Sequence, residues 1–130
     1  MIKRKLLFIV DDDPFINQLV IKRFNSEEYL VEPFEYGEEC IDALDRDPDL
    51  IILDYYFFKS GIRVMNGMEI FDMIREKKPE VPVIMLSGQD KGNVVLEMAR
   101  KGIKDYIIKD NSLIKNLERA LSEIFGNDNP

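Results

Sequence analysis

Leu6-Leu7-Phe8-Ile9-Val10-Asp11-Asp12-Asp13-Pro14 is the stretch that decides the fold. Its five apolar residues, with charges on either side, read as a strand buried on both faces. Three acids follow at the strand's end, and Asp13-Pro14 reads as a helix N-cap with proline at the first helical position. The pattern recurs. Leu50-Ile51-Ile52-Leu53 ends in Asp54, Val83-Ile84-Met85-Leu86 ends in Ser87, and Tyr106-Ile107-Ile108 ends in Lys109. Parallel strands would bring these polar ends to one sheet edge, where open α/β sheets bind ligands. Crowded carboxylates repel one another unless a cation, a proton or a lysine sits among them. Acids, a hydroxyl and a lysine at one edge point to a magnesium and phosphoryl site.

Around these runs the chain alternates strand and helix. Strands are predicted over 5–10, 29–34, 49–54, 81–87 and 104–109, and helices over 14–26, 37–45, 67–78, 90–101 and 112–125. Such alternation requires crossover connections and gives a parallel sheet with helices on both faces. Gly102, after Ala99-Arg100-Lys101, is a helix C-terminal glycine. Pro79 and Pro82 bracket the passage from helix to strand. Residues 1–125 are expected to form one domain, with 126–130 a tail or linker stub. The segment 55–66 exceeds the usual reach between a strand and its helix and begins Tyr55-Tyr56-Phe57-Phe58.

Composition excludes several function classes. The net charge is −7, from 25 acids against 18 bases, which disfavours direct nucleic-acid binding. No stretch reaches the roughly 20 apolar residues of a membrane span. Lys3-Arg4-Lys5 precedes an apolar run, but three acids interrupt it and no small-residue cleavage site follows, so a cytoplasmic location is expected. The chain has no histidine. It therefore cannot use a histidine base or imidazole metal ligand, and any phosphohistidine in its chemistry belongs to a partner. Cys40 is the only cysteine and reads as a small buried apolar residue.

Taken together, Asp11-Asp12, Asp54, Ser87-Gly88 and Asp105-Tyr106-Ile107-Ile108-Lys109 resemble the receiver domain of two-component response regulators. The resemblance covers nearly the whole chain. It implies a flavodoxin-like, doubly wound five-stranded parallel sheet of order 2-1-3-4-5 with five helices. It implies Asp54 as phosphoacceptor, and Mg2+ held by Asp11, Asp12, Asp54 and the backbone carbonyl of Tyr56. Lys109 and Ser87 would bind the phosphoryl group, while Ser87 and Tyr106 would act as the switch. Gly88 would leave the phosphoryl group room to approach. Tyr56 and Gln89 would tune hydrolysis. The donor implied is a sensor histidine kinase or a histidine phosphotransfer protein. The output surface would be the fourth helix, fifth strand and fifth helix, acting on a downstream protein, a fused output domain or a phosphorylation-linked dimer. No enzyme activity is implied beyond the domain's own phosphorylation and dephosphorylation.

The chain departs from that family's usual pattern in two places. Asp110 follows Lys109 where a proline is common, so this peptide is expected to be trans. Phe58 and Ile62 stand where a proline and a glycine are common; the matching glycine is Gly67, which implies an insertion of about five residues, tolerable because loop entropy grows slowly. A loop packed on its own aromatics, or a partner-docking loop, would each account for it. Two rival functions stay open. An interaction-only pseudo-receiver would bind partners without phosphorylation. A small magnesium-dependent aspartyl phosphatase would use the D-x-D spacing within Asp11-Asp12-Asp13, and its turnover would be abolished by Asp11→Asn rather than Asp54→Asn.

Overall fold

The computed structural model describes residues 3–57, 61, 64–88 and 92–126. Strand β1 (Lys5–Val10) leads into α1 (Pro14–Phe24), β2 (Tyr29–Phe34), α2 (Gly37–Asp42) and β3 (Leu50–Asp54). Next come α3 (Gly67–Lys77), β4 (Val83–Ser87), α4 (Gly92–Lys101), β5 (Asp105–Ile108) and α5 (Leu113–Phe125). All strand pairs are parallel and the order is β2-β1-β3-β4-β5, as expected.

Alternate residues of the buried strands feed two cores. Leu7, Ile9, Leu50, Ile52, Ile84 and Leu86 face α1 and α5, packing against Val20, Phe24, Leu117 and Leu121. Phe8, Val10, Ile51, Leu53, Val83 and Met85 face the other way, toward Cys40, Ile70, Phe71, Ile74 and Met98. Covering a sheet on both sides is what makes its strands apolar at every position.

Local signals set the boundaries. Asp13 is extended (φ −91°, ψ 109°) and its Oδ1 accepts a hydrogen bond from the Phe15 N–H at 2.9 Å, capping α1. Asn25 ends α1 earlier than the predicted 26, because its own backbone turns extended and its Oδ1 accepts from the Val31 N–H at 3.0 Å. The predicted helix over 37–45 divides into α2 and a 3-10 turn, Leu44–Arg46, that closes on Asp47 in the left-handed conformation (φ 58°). Gly102, at φ 96°, closes α4, its N–H donating to Met98 O at 3.1 Å. Cys40 is fully buried and burial pushes its thiol up to about 12, so it is a packing residue. No helix among the described residues is long and apolar enough to cross a membrane.

Candidate functional site

The registers place the polar strand ends side by side. Val10 pairs with Leu53, Asp54 with Leu86, and Ser87 with Ile108. Asp11, Asp54, Ser87 and Lys109 therefore step across the C-terminal edge of four adjacent strands. Backbone bonds lock that edge: Asp11 N–H donates to Phe34 O at 3.0 Å, Tyr55 N–H to Leu86 O at 2.9 Å, and Lys109 N–H to Ser87 O at 2.8 Å.

Lys109 Nζ lies 2.7 Å from Asp11 Oδ2 and 3.0 Å from Asp54 Oδ1. Asp11 is 0% exposed, Asp54 4% and Ser87 3%. Asp12 is half-buried, and its carboxylate lies with those of Asp11 and Asp54 so that one oxygen of each falls within 4.8 Å of the others. Asp11 Oδ1 also accepts from the Asp13 N–H at 2.9 Å. Burial raises the Asp54 carboxyl to about 7, with Asp11 repulsion adding to it and Lys109 opposing it. Burial likewise raises Asp11, against the pull of Lys109. Burial works against the Lys109 charge, but its bonds to Asp11 and Asp54 outweigh that and raise its pKa. Three carboxylates against one ammonium leave an excess of negative charge in a nearly dry corner. Hard oxygen donors at this spacing fit a small divalent cation such as Mg2+.

The remaining predicted residues fall around this cluster. Tyr56 follows β3 with its side chain 55% exposed, its ring 4.7 Å from that of Tyr55. Tyr106 is half-buried on β5 and packs against the core beneath α3 and α4. Gln89, Phe58 and Ile62 lie outside the described residues. No peptide is cis among the described residues, in line with a trans bond before Asp110. Gly67 stands where the matching glycine was expected: its N–H donates to Tyr55 O at 2.7 Å, and a Cβ there would lie 2.6 Å from Asp54 O. Tyr55, Phe57 and Met65 fold back onto the second core rather than standing away from it.

Asn17 is a residue that the strand-end reading missed. It is 7% exposed, and its Nδ2 donates to Asp11 O at 2.8 Å and to Phe34 O at 3.4 Å, tying α1 to the acidic turn. The available signal was a polar residue on the buried stripe of α1, beside Ile16 and Val20.

Residues 7–121 match the family described as the response regulator receiver domain. The nitrogen assimilation regulatory protein NtrX of Azorhizobium caulinodans is 32% identical over 122 residues, 91% of this chain and 26% of that protein. The chemotaxis protein CheY of Listeria monocytogenes is 29% identical over 119 residues, 88% of this chain and 96% of that protein. The response regulator protein TrrA from Thermotoga maritima, solved in complex with Mg(2+)-BeF, aligns with a TM-score of 0.76 at 26% identity, covering 92% of this chain and 98% of that one. The chain thus spans about a quarter of the length of NtrX and of GlrR from Escherichia coli (26% in each case), but nearly all of CheY. With the sheet order, the acidic edge and a family match over most of its length, the chain belongs to the response regulator receiver domain family of two-component signalling.

Proposed function

We propose that Asp54 accepts a phosphoryl group from a phosphohistidine on a partner, a sensor histidine kinase or a histidine phosphotransfer protein. The observation that carries this reading is the Lys109 ammonium held between Asp11 and Asp54 at the edge where Asp12 and Ser87 also end. A carboxylate oxygen of Asp54 bonds to phosphorus as the partner's P–N bond breaks and its imidazole leaves. Asp11, Asp12, Asp54 and the Tyr56 carbonyl are the residues that would hold Mg2+. When bound, the cation neutralises charge on the transferring oxygens.

Lys109 exchanges its bond to Asp54 for one to a phosphoryl oxygen, as a compact point charge can. The Ser87 hydroxyl moves toward the new phosphoryl group, and Tyr106, on the neighbouring strand, follows into the space released. The surface of α4, β5 and α5 changes as a result, so output arises from a shift between two populations. That surface would serve a downstream protein, a fused output domain or a dimer. Exposed Tyr56 slows hydrolysis by crowding the approach of water; replacing it with Asn should speed dephosphorylation, and an unchanged rate would refute that role. The working unit is residues 1–125, in the cytoplasm, with no reaction beyond its own phosphorylation and dephosphorylation.

Intact mass after incubation with acetyl phosphate tests this. A base-labile phosphoryl adduct that needs Mg2+ and is lost in Asp54→Asn is the expected result. A folded, magnesium-binding protein without the adduct would instead favour an interaction-only domain.

A further inference from the structure

Two contacts tie the long connection between β3 and α3 to the start of α2. Glu38, in the first turn of α2, accepts a hydrogen bond through Oε2 from the Met65 N–H at 3.2 Å. The Phe57 ring lies 6.4 Å from that of Tyr36, the N-cap of α2, with the planes inclined at 50°. The contacts engage the two stems of one connection. Phe57 adjoins Tyr56, and Met65 lies two residues before Gly67, whose N–H holds the Tyr55 carbonyl at 2.7 Å. Tyr55 is fixed in turn by its N–H to Leu86 O at 2.9 Å, and Tyr55, Phe57 and Met65 all pack on the same core.

The residues flanking Tyr56 are thus held, Tyr55 by the sheet and Phe57 against the N-cap of α2, while Glu38 holds Met65 on the returning stem. A neutral carbonyl has no charge to draw a cation from a distance. Its value as a ligand rests on being held in place, as for other groups oriented by neighbours outside the immediate coordination shell. Extra chain length between Tyr55 and Gly67 makes such holding harder, since a longer connection has more conformations to lose.

We propose that Tyr36 and Glu38 form a latch that positions the Tyr56 carbonyl, so that Mg2+ affinity depends on α2 as well as on the carboxylates. Glu38 is a positioning residue here. By linkage, metal at the carboxylates tightens the latch, and the start of α2 reports on occupancy. This rests on the reading of the carboxylate cluster as a Mg2+ site.

Calorimetric Mg2+ titration of the whole chain separates the two ideas. Glu38 is exposed, so Glu38→Ala should fold and bind Mg2+ about three- to tenfold more weakly, the effect of losing one ordinary solvent-exposed hydrogen bond. Glu38→Gln removes the same charge but keeps an acceptor for Met65, and should stay within about twofold of wild type. Tyr36→Ala should weaken binding in the same direction as Glu38→Ala. In wild type, Mg2+ should slow amide exchange at Met65, and in Glu38→Ala it should not. Equal affinity in wild type and Glu38→Ala, an affinity in Glu38→Gln as weak as in Glu38→Ala, or no change at Met65 would overturn the latch while leaving the metal site standing. Absence of Mg2+ binding by wild type would overturn the site itself, and the latch with it.

Discussion

Asp54 carries a cost in the metal-free protein that can be read as a pH dependence. Burial lifts its carboxyl from the ordinary 3.8 to about 7, so between those values the folded state keeps a proton that the unfolded chain has released. A folded state that binds more protons loses stability as pH rises. Metal-free protein should therefore weaken from about pH 4 to about pH 7, by at most about 4 kcal/mol at 1.36 kcal/mol per pH unit. Asp11, raised by burial as well, acts in the same direction. Lys109 acts elsewhere: its raised pKa stabilises the fold below the ordinary 10.5 and is lost only as pH climbs through the folded value. Urea unfolding in EDTA should show most of the slope removed in Asp54→Asn, with the variant more stable than wild type at pH 7.5 and similar to it near pH 4. Equal slopes would mean that Asp54 is not the strained group. Asp11, Asp12, Asp54, Ser87 and Lys109 were legible in the sequence because each ends an apolar run, and strand ends in a parallel sheet share an edge. Asn17 and Glu38 were not. The buried stripe of α1 marks Asn17 as an oddly placed polar residue, but which carbonyl or amide a crossover brings within reach of either side chain is encoded in no sequence spacing.

At the level of elements, the turn from β3 into α3 makes the sharpest demand on sequence. A Cβ on Gly67 would lie 2.6 Å from Asp54 O and 2.7 Å from Tyr55 Cα, both backbone atoms that cannot swing aside. Gly67→Ala should therefore cost about 1–3 kcal/mol in thermal or urea unfolding, as overpacking does, and disturb the backbone at Asp54 and Tyr55. Gly92, at the start of α4, meets nothing within 4 Å, so Gly92→Ala should be neutral or stabilising by up to about 1 kcal/mol through helix propensity. Equal losses in both would show that the crowding at Gly67 is relieved at little cost. Asp13→Ala should cost about 1 kcal/mol by removing the cap from the Phe15 N–H. The elements themselves were largely legible, since the three central strands, buried on both faces, leave apolar runs and Asp13-Pro14 and Gly102 mark ends that physical chemistry fixes. What escaped was the break of α2 into a helix and the 3-10 turn Leu44–Arg46, where Ala43 leaves helical geometry (φ −98°, ψ 5°) with no proline or glycine to announce it.

For the whole molecule, the proposed phosphorylation of Asp54 raises the question of which side of the sheet would yield. Helix α1 buries Ile16, Asn17, Val20 and Phe24, and α5 buries Leu113, Leu117, Ala120 and Leu121. Helix α4 fully buries only Met98 among its described residues, and Leu96 stands 59% exposed. Its C-terminal end is tied to α3 by Lys101 Nζ to Asp72 Oδ1 at 2.8 Å, a partly exposed pair worth roughly 0–1 kcal/mol. Strand β5 is at the sheet edge, with β4 its only strand neighbour among the described residues, and it carries Tyr106 beside the strand that ends in Ser87. Displacing α4 and β5 thus exposes less apolar surface than displacing α1 or α5, and local opening follows the least-buried elements. Amide exchange with Mg2+ and acetyl phosphate should therefore change most in α4 and β5, with α1 and the buried turns of α5 unchanged. Tyr106→Ala should still take up the phosphoryl group, because it does not touch the chemistry, yet lose most of the exchange response in α4. A response spread evenly over the molecule, or one that survives in Tyr106→Ala, would mean that the change at Asp54 leaves the site by another route.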